Sequence, residues 1–465
     1  MASSMRYRVY FTPLTNSDSN TYGDEIEVTD YIKSAGVGQI RKSIDSSDYD
    51  VGVFTFSDLE LTAVNLNGKF NDENDTRSIF MVTRDRCKVR VEFVQIESVR
   101  DTSGTILSEV ETDTVTFRGL INDEATRLDV TKETIRFKVL SRDSVLRTTK
   151  VSGGVVGDGM LFSDAIFAIL NVPKITSVLT VLEANIDVDL DLEIDDGSYF
   201  DDKGVKESLD ELLFASNSCL LIDDAGVVTI RSRAADESTD ALNLFGKNDL
   251  HYRENIIDLT DYNTGKQRMF TSFVVNDRET SNSVFVQAFG FRQKKITLDF
   301  MTDTVKIDQI AAQSVDEWKT PKIELKVKVA TATARDVQLL DRVSVSYPFR
   351  VKPQPGKFLP VIGVTKIGET DQPLPDIFGA IEIPSRLKFK VLEIEDNVEK
   401  FTRTLKLRQA GTDLGDGNFD SPGSCGVIEL TVIGESLICE EGDPCDTWNP
   451  SNIGAAQLGC TELSA

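Results

Sequence analysis

Histidine is almost absent from this chain: His251 is the only one in 465 residues. A three-histidine zinc site is thereby excluded, and a Ser/His/Asp triad would have to be built on that one residue. Its surroundings, DLHYREN, carry neither a nucleophile elbow nor metal-ligand spacing, so a polar loop or interface histidine is expected. Tryptophan is equally scarce, with only Trp318 and Trp448, which leaves little for a sugar ring to stack on. No run of eighteen or more apolar residues occurs, so no membrane-spanning helix or membrane anchoring is expected. The opening MASSMRYRVYF lacks the basic-then-apolar order of a secretory signal, and a chain made in a cytosol is expected. Positive charge is short: 51 Lys and Arg stand against 76 Asp and Glu, a formal charge of −25 that argues against a phosphate-binding surface. Six cysteines are present. Cys87 and Cys219 lie in apolar runs and read as buried free thiols. Cys425, Cys439, Cys445 and Cys460 crowd the far end, and their closest pair, Cys439 and Cys445, is spaced too widely for a zinc ribbon. Their redox state stays open between free thiols and disulfides formed in a particle that leaves the cell.

What is there is mostly period-two alternation. Residues 6–12 (RYRVYFT), 88–96 (KVRVEFVQI), 115–121 (VTFRGLI) and 134–140 (TIRFKVL) predict strands, the last two joined by a polar connection, NDEATRLDVTKE. The glycines of VSGGVVGDGM (151–160) mark a linker. Beyond it, SDAIFAILNVP (163–173) predicts a short helix with Ile166, Ile169 and Leu170 on one face, ending before Pro173. KESLDELLFA (206–215) predicts a second helix, and Asp223 to Gly226 turn a hairpin between CLLI and VVTIRS. Strands are expected again in QRMFTSFVVN, SVFVQAFG and KKITLDF, then in KIELKVKV (322–329), DRVSVSY (341–347) and LKFKVLEIEDNVEKFTRTLKLRQAG (387–411). The last of these repeats the plan of VTFRGLINDEATRLDVTKETIRFKVL. The expected class is therefore mainly β with an α/β insertion: two β-barrel, tube-like domains at 1–150 and 251–410 flank a small α/β domain at 151–250. A Gly/Asp-rich linker with a cysteine-containing C-terminal extension fills 411–465.

One stretch invites a functional reading. NIDVDLDLEIDDGSYFDD (185–202) holds eight acidic side chains. An EF-hand loop wants glycine at its sixth position, but counting from Asp191 the sixth is Asp196, and from Asp189 it is Ile194. A looser calcium site at Asp195, Asp196, Asp201 and Asp202 is an alternative, and a glycosidase carboxylate pair is another. Alternation supplies the third reading: Ile186, Val188, Leu190, Leu192 and Ile194 on the core face of a strand, and Asp187, Asp189, Asp191, Glu193 and Asp195 on its solvated face. If that row faced the inside of a ring, it would add to a negative lumen.

Two features together resemble the tail hub (baseplate hub, tail-tip) proteins of tailed bacteriophages. One is the succession SDAIFAILNVP, then KESLDELLFASNSCLLIDDAGVVTIRSR. The other is the late LLDRVSVSYPF followed by FKVLEIEDNVEKFTRTLKL. The early GVFTFSDLELTAVNLNGKFND (52–72) also resembles a segment of tail-tip proteins. The resemblance covers roughly residues 1–410 and rests on pattern and order. It implies a structural virion protein at the phage tail tip, assembled in the host cytoplasm, with two barrels per chain alternating around a homotrimer. Such a pseudo-sixfold ring would join a sixfold tail tube to a threefold tip or fibres and let DNA pass without specific binding. The implied partners are a tail tube or distal tail protein, a tape measure protein, and tail-tip or fibre proteins. No catalytic, cofactor-binding or metal residue is expected, and no cofactor. A hexameric distal tail protein is the alternative within tails, and a cell-wall hydrolase on a β scaffold the alternative outside them. If any segment contacts partners, it is 52–72, with Val53, Phe54, Phe56 and Leu59, or the end around Trp448.

Overall fold

The computed structural model describes residues 2–16, 21–44, 52–72, 74–100, 106–223, 225–233, 241–245, 255–263, 265–346, 348–351, 379–382 and 387–410. His251, Trp448 and the four C-terminal cysteines lie outside them.

The chain is mostly β, folded into two curled sheets. In the first, antiparallel throughout, Ala2–Thr12 pairs along its whole length with Lys88–Arg100, which pairs with Ile106–Asp129, then Thr134–Ser141, Leu59–Val64 and Ile32–Val37. Alternate residues of these strands, among them Val9, Phe11, Val91, Phe93, Phe117 and Phe137, fill one core. Phe11, Phe70, Phe80 and Phe137 meet there edge-on or tilted, with centroids 5.3–6.3 Å apart. The polar connection predicted between the third and fourth strands is instead largely strand. Ile106–Asp129 runs through NDEATRLD, and only residues 130–133 turn. A register shift between Asn122 and Arg127 leaves Glu124, Ala125 and Arg127 exposed, so a polar segment can stay extended.

The second sheet draws on all parts of the chain. Ile256–Asn263, Glu324–Ala330, Thr402–Gln409 and Leu387–Asn397 are antiparallel neighbours. The hairpin Ile40–Ile44 and Gly52–Phe56 leaves the first sheet to bridge Leu387–Asn397 on one side and Ser218–Ile222 on the other. Val53 is buried there, its N–H held by Asp210 Oδ1 at 3.0 Å, and Leu59 lies in the first core; the side chains of Phe54 and Phe56 are outside the described residues.

The middle helices form where periodicity placed them, at Phe162–Leu170 and Val205–Ala215. Pro173 does not merely follow the first of these: it opens a further turn, Pro173–Thr176, as its fixed φ suits a first helical position. The predicted hairpin is present as Ser218–Ile222 and Val227–Ser232, turned by Gly226 at φ 86. One contiguous core runs from these helices into the second sheet.

Two helices replace or add to expected strands. SVFVQAF (Ser283–Phe289) is helical: Asn282 accepts from Phe285 N at 3.3 Å, Gly290 follows at φ 83, and Phe285 stacks on Phe289 one turn on. Thr304–Trp318 was not foreseen, although Asp303 caps it and Ile307, Ile310, Ala311, Val315 and Trp318 recur at helical spacing on its buried face.

Candidate functional site

The acidic stretch keeps its two faces but not its ladder. Thr180–Ile186 is a strand and residues 187–196 are not, yet Val188, Leu190 and Leu192 are half-buried and Ile194 is buried, while Asp187, Asp189, Asp191 and Glu193 are exposed. Backbone bonds go to scattered partners: Asp187 N to Ile230 O at 3.1 Å, Leu190 N to Ser216 O at 3.1 Å, Ile194 N to Met160 O at 2.8 Å. The row of charge predicted for a strand thus sits on an extended seam that touches four elements in turn.

Its carboxylates tie those elements together. Asp191 accepts from Ser163 N at 3.0 Å and Ser163 Oγ at 2.7 Å, capping Phe162–Leu170 from a distance in sequence. Asp189 takes Asn217 Nδ2 at 2.8 Å and Gln313 Nε2 at 2.7 Å. Asp195 accepts from Thr302 N at 2.7 Å and Asp303 N at 2.6 Å, just before Thr304–Trp318, and from Lys306 Nζ at 2.7 Å. Partial burial pushes its carboxyl up, but Lys306 and the two N–H groups outweigh that and hold it below the usual range. Asp196 turns to Ser198 N at 3.0 Å, and Asp201 to Gly154 N at 2.9 Å. The acids that a loose calcium site would have gathered therefore diverge. Among the described residues no three His, Cys, Asp or Glu side chains are grouped to hold a metal.

A second charged cluster lies beneath the second sheet. Glu317 meets Lys322 and, at 3.2 Å, Arg233. Burial would raise the Glu317 carboxyl, but the Arg233 and Lys322 charges hold it down to about 2. Burial pushes Lys322 down to about 8. Trp318 packs here against Phe214 and Phe273, with the Arg233 guanidinium 5.0 Å from its ring. Cys87 and Cys219 are buried, and burial pushes the Cys87 thiol far up, which keeps it unreactive.

The more informative geometry is repeated. In chain order, Leu59–Val64, Lys88–Arg100, Ile106–Asp129 and Thr134–Ser141 in the first sheet correspond to Glu324–Ala330, Arg342–Ser346, Leu387–Asn397 and Thr402–Gln409 in the second. Both sets are arranged first, fourth, third, second across the sheet. The hairpins match residue by residue. Asp129 faces Thr134 across a four-residue turn, as Asn397 faces Thr402. Lys132 N donates to Asp129 Oδ1 at 3.1 Å, and Lys400 N to Asn397 Oδ1 at 2.9 Å. Glu133 and Phe401 both sit at φ 50, and their carbonyls accept from Asn65 N at 2.8 Å and Thr331 N at 3.0 Å. A second pair agrees at the other end: Arg86 (φ 63) donates its N–H to Ile121 O at 3.0 Å, and Leu340 (φ 64) to Val391 O at 2.8 Å. A left-handed non-glycine residue costs about 1–2 kcal/mol, so two such residues at matched places mark one architecture used twice. DVTKET and NVEKFT were the visible part of it in sequence; the two left-handed corners at Arg86 and Leu340 had no such signal.

No family model matches this chain, and no curated protein matches it. Solved structures do. The tail protein from Neisseria meningitidis MC58 superposes with a TM-score of 0.51 at 12% identity, covering 89% of this chain and 99% of that one. This chain has that fold. The 43 kDa tail protein of prophage MuSo2 from Shewanella oneidensis matches at TM-score 0.45 and 13% identity, over 89% of this chain and 99% of that one. A topological model of the p2 virion baseplate in activated conformation matches at 0.32 and 10%, over 88% and 100%.

Proposed function

We propose that this protein is a structural component of a phage-type tail, a hub at the tail tip. Three copies would close into a ring of six equivalent β-barrel units that joins a sixfold tube to a threefold tip or fibres. The observation that carries this reading is the doubled architecture: a chain that repeats one four-strand plan offers six like surfaces when three copies meet, and three unlike ones on the other face. The fold shared with a tail protein over nearly the whole chain supports the setting. The charge of −25 per copy supports the passage, because a ring of such chains surrounds its axis with negative potential that repels the phosphate backbone. The chain's role is assembly, with a tail tube or distal tail protein, a tape measure protein and tip or fibre proteins as neighbours, and without catalysis.

Light scattering of the purified full chain, with class averages of the same peak by electron microscopy, tests it. A particle of three 51.5 kDa copies forming a hollow ring with six lobes is expected. A six-copy ring would instead favour a distal tail protein, and a compact monomer would lift the hydrolase reading.

A further inference from the structure

Charge is unevenly shared along this chain. Residues 411–465 hold ten Asp and Glu and no Lys, Arg or His. Within them VIELTVIG (427–434) puts five large apolar side chains into eight positions, too short a run to make a core alone. Such a segment gains by lying on apolar surface, and its acids favour basic surroundings.

The last described residue, Ala410, leaves the second sheet beside a place of that kind. Gln409 N donates to Ile323 O at 2.8 Å, and Gln409 Oε1 accepts from Ile323 N at 3.2 Å. Four residues before Ile323, Lys319 reaches the Ser283–Phe289 helix, its Nζ 5.5 Å from the centre of the Phe285 ring. That helix carries more apolar surface than it buries. Phe285 is its one buried residue, while Val284 is 51% exposed, Val286 and Phe289 are half-buried, and Phe291 just beyond is 58% exposed. The segment is also basic: residues 266–295 hold six Lys and Arg against Asp277 and Glu279, in a chain of charge −25. Lys294 lies 5.7 Å from the Phe270 ring, and Phe270 N donates to Trp318 O at 2.8 Å, one residue before Lys319. Lys295 pairs with Asp277 and Lys319 with Asp316, but both acids stand mostly in water, where such pairs hold weakly.

We infer that residues 427–434 dock on the Val284–Phe291 surface of their own chain, with Glu429 and Glu435 toward Lys295 and Lys319. Charge complementarity and the exit point at Ala410 argue for that occupant. Reach allows it: the Gly-rich residues 411–426 span about 20–24 Å on average, whereas Ile323 and Lys319 are at most about 14 Å apart. The tether also holds the segment at a local concentration on the order of a millimolar, so a weak contact suffices. The contact closes within one copy and does not depend on ring formation.

Hydrogen exchange of the full chain, read by mass spectrometry on peptides covering 427–434, tests it. The native chain is compared with the double variant Val284→Glu, Phe291→Glu and with Val130→Glu, an exposed site in the first sheet, as control. All three side chains are exposed, so circular dichroism and melting should be unchanged. In the native chain and the control, these amides should exchange about tenfold or more slower than in an unstructured chain, as the covering of one or two apolar side chains implies. In the double variant they should return to the unstructured rate, and about 1 M salt should reduce the native protection severalfold. Exchange at the unstructured rate in the native chain overturns the contact. Protection that survives both glutamates overturns it too, since the segment then lies elsewhere, and protection untouched by salt removes Lys295 and Lys319 from it. Protection that grows with protein concentration assigns the surface to a second copy's extension and overturns docking within one copy.

Discussion

The two hairpins share strand order, turn length, the capping bond from the fourth residue's N–H and the left-handed residue before the closing threonine, yet one tip is half inside a core and the other stands in water. The difference lies in a few side chains. Where the second hairpin has Asp396, Phe401 and Arg403, the first has Leu128, Glu133 and Ile135. Asp396 and Arg403 form a buried pair, 2.7 and 2.9 Å between their atoms, and Arg403 also donates to Ala334 O at 2.6 Å. The second tip is thus specialised to seal a joint within the chain, while the first keeps the plan and leaves the surface open. A duplicated unit teaches by such departures, because the backbone equivalence removes topology as their cause.

The largest expected effect that would break the equivalence comes from Asp396→Ala. Leaving Arg403 buried without its partner should cost about 3–5 kcal/mol, whereas Leu128→Ala at the matching position should stay within about 0.5 kcal/mol. Urea unfolding of both variants checks this, and equal losses would mean that the second joint is not held by its charges. Next comes Phe401→Ala, expected to lose about 2 kcal/mol by thermal or urea melting because the ring fills only part of a core site, against almost nothing for Glu133→Ala.

A pH series sharpens the contrast between the units, since Glu317 lies behind the second. Its folded pKa of about 2 is below the ordinary 4.5, so its contribution is complete above pH 4.5 and is lost as the pH falls toward 2. Lys322 has the same sign in a higher window: its pKa of about 8 is depressed from 10.5, so stability is gained as the pH rises from 8 to 10.5. Urea midpoints measured down the acid limb should fall less steeply in Glu317→Gln than in the native chain.

The smallest effects test sameness. Glu133→Gly should stabilise by about 0.5–1 kcal/mol by relieving the φ of 50, whereas Phe401→Gly should destabilise because the lost ring outweighs the same relief. Asp129→Ala and Asn397→Ala should each cost about 0.5–1 kcal/mol, because the same side-chain bond is removed from the same turn. Unequal losses in that pair would weaken the claim of one architecture used twice.

Much of this was legible in residues. Alternation located Ala2–Thr12, Lys88–Arg100 and Thr134–Ser141, and it split residues 186–195 into an apolar and an acidic face, which the structure keeps except at Asp195, a half-buried carboxylate. It could not say that this segment would lack a ladder, because a period of two describes which way side chains point and not what the backbone bonds to. Nor could it find the use of Asp191 and Asp195, whose partners Ser163, Asp303 and Lys306 lie 28 to 111 residues away. Ser283–Phe289 misled for a related reason. Its Val and Phe suit a strand, and only the Asn282 cap and Gly290 decide for a helix.

By itself, then, the sequence determined what depends on near neighbours: the faces of strands and helices, the turns DVTKET and NVEKFT, the poverty in histidine, and the net charge of −25. Tertiary structure alone decided which of two like hairpins is covered, where the acidic row spends its hydrogen bonds, and that Ile40–Ile44 crosses to the other sheet. Those outcomes turn on contacts between residues far apart in the chain, and a local pattern carries the same signal whether or not such a partner arrives.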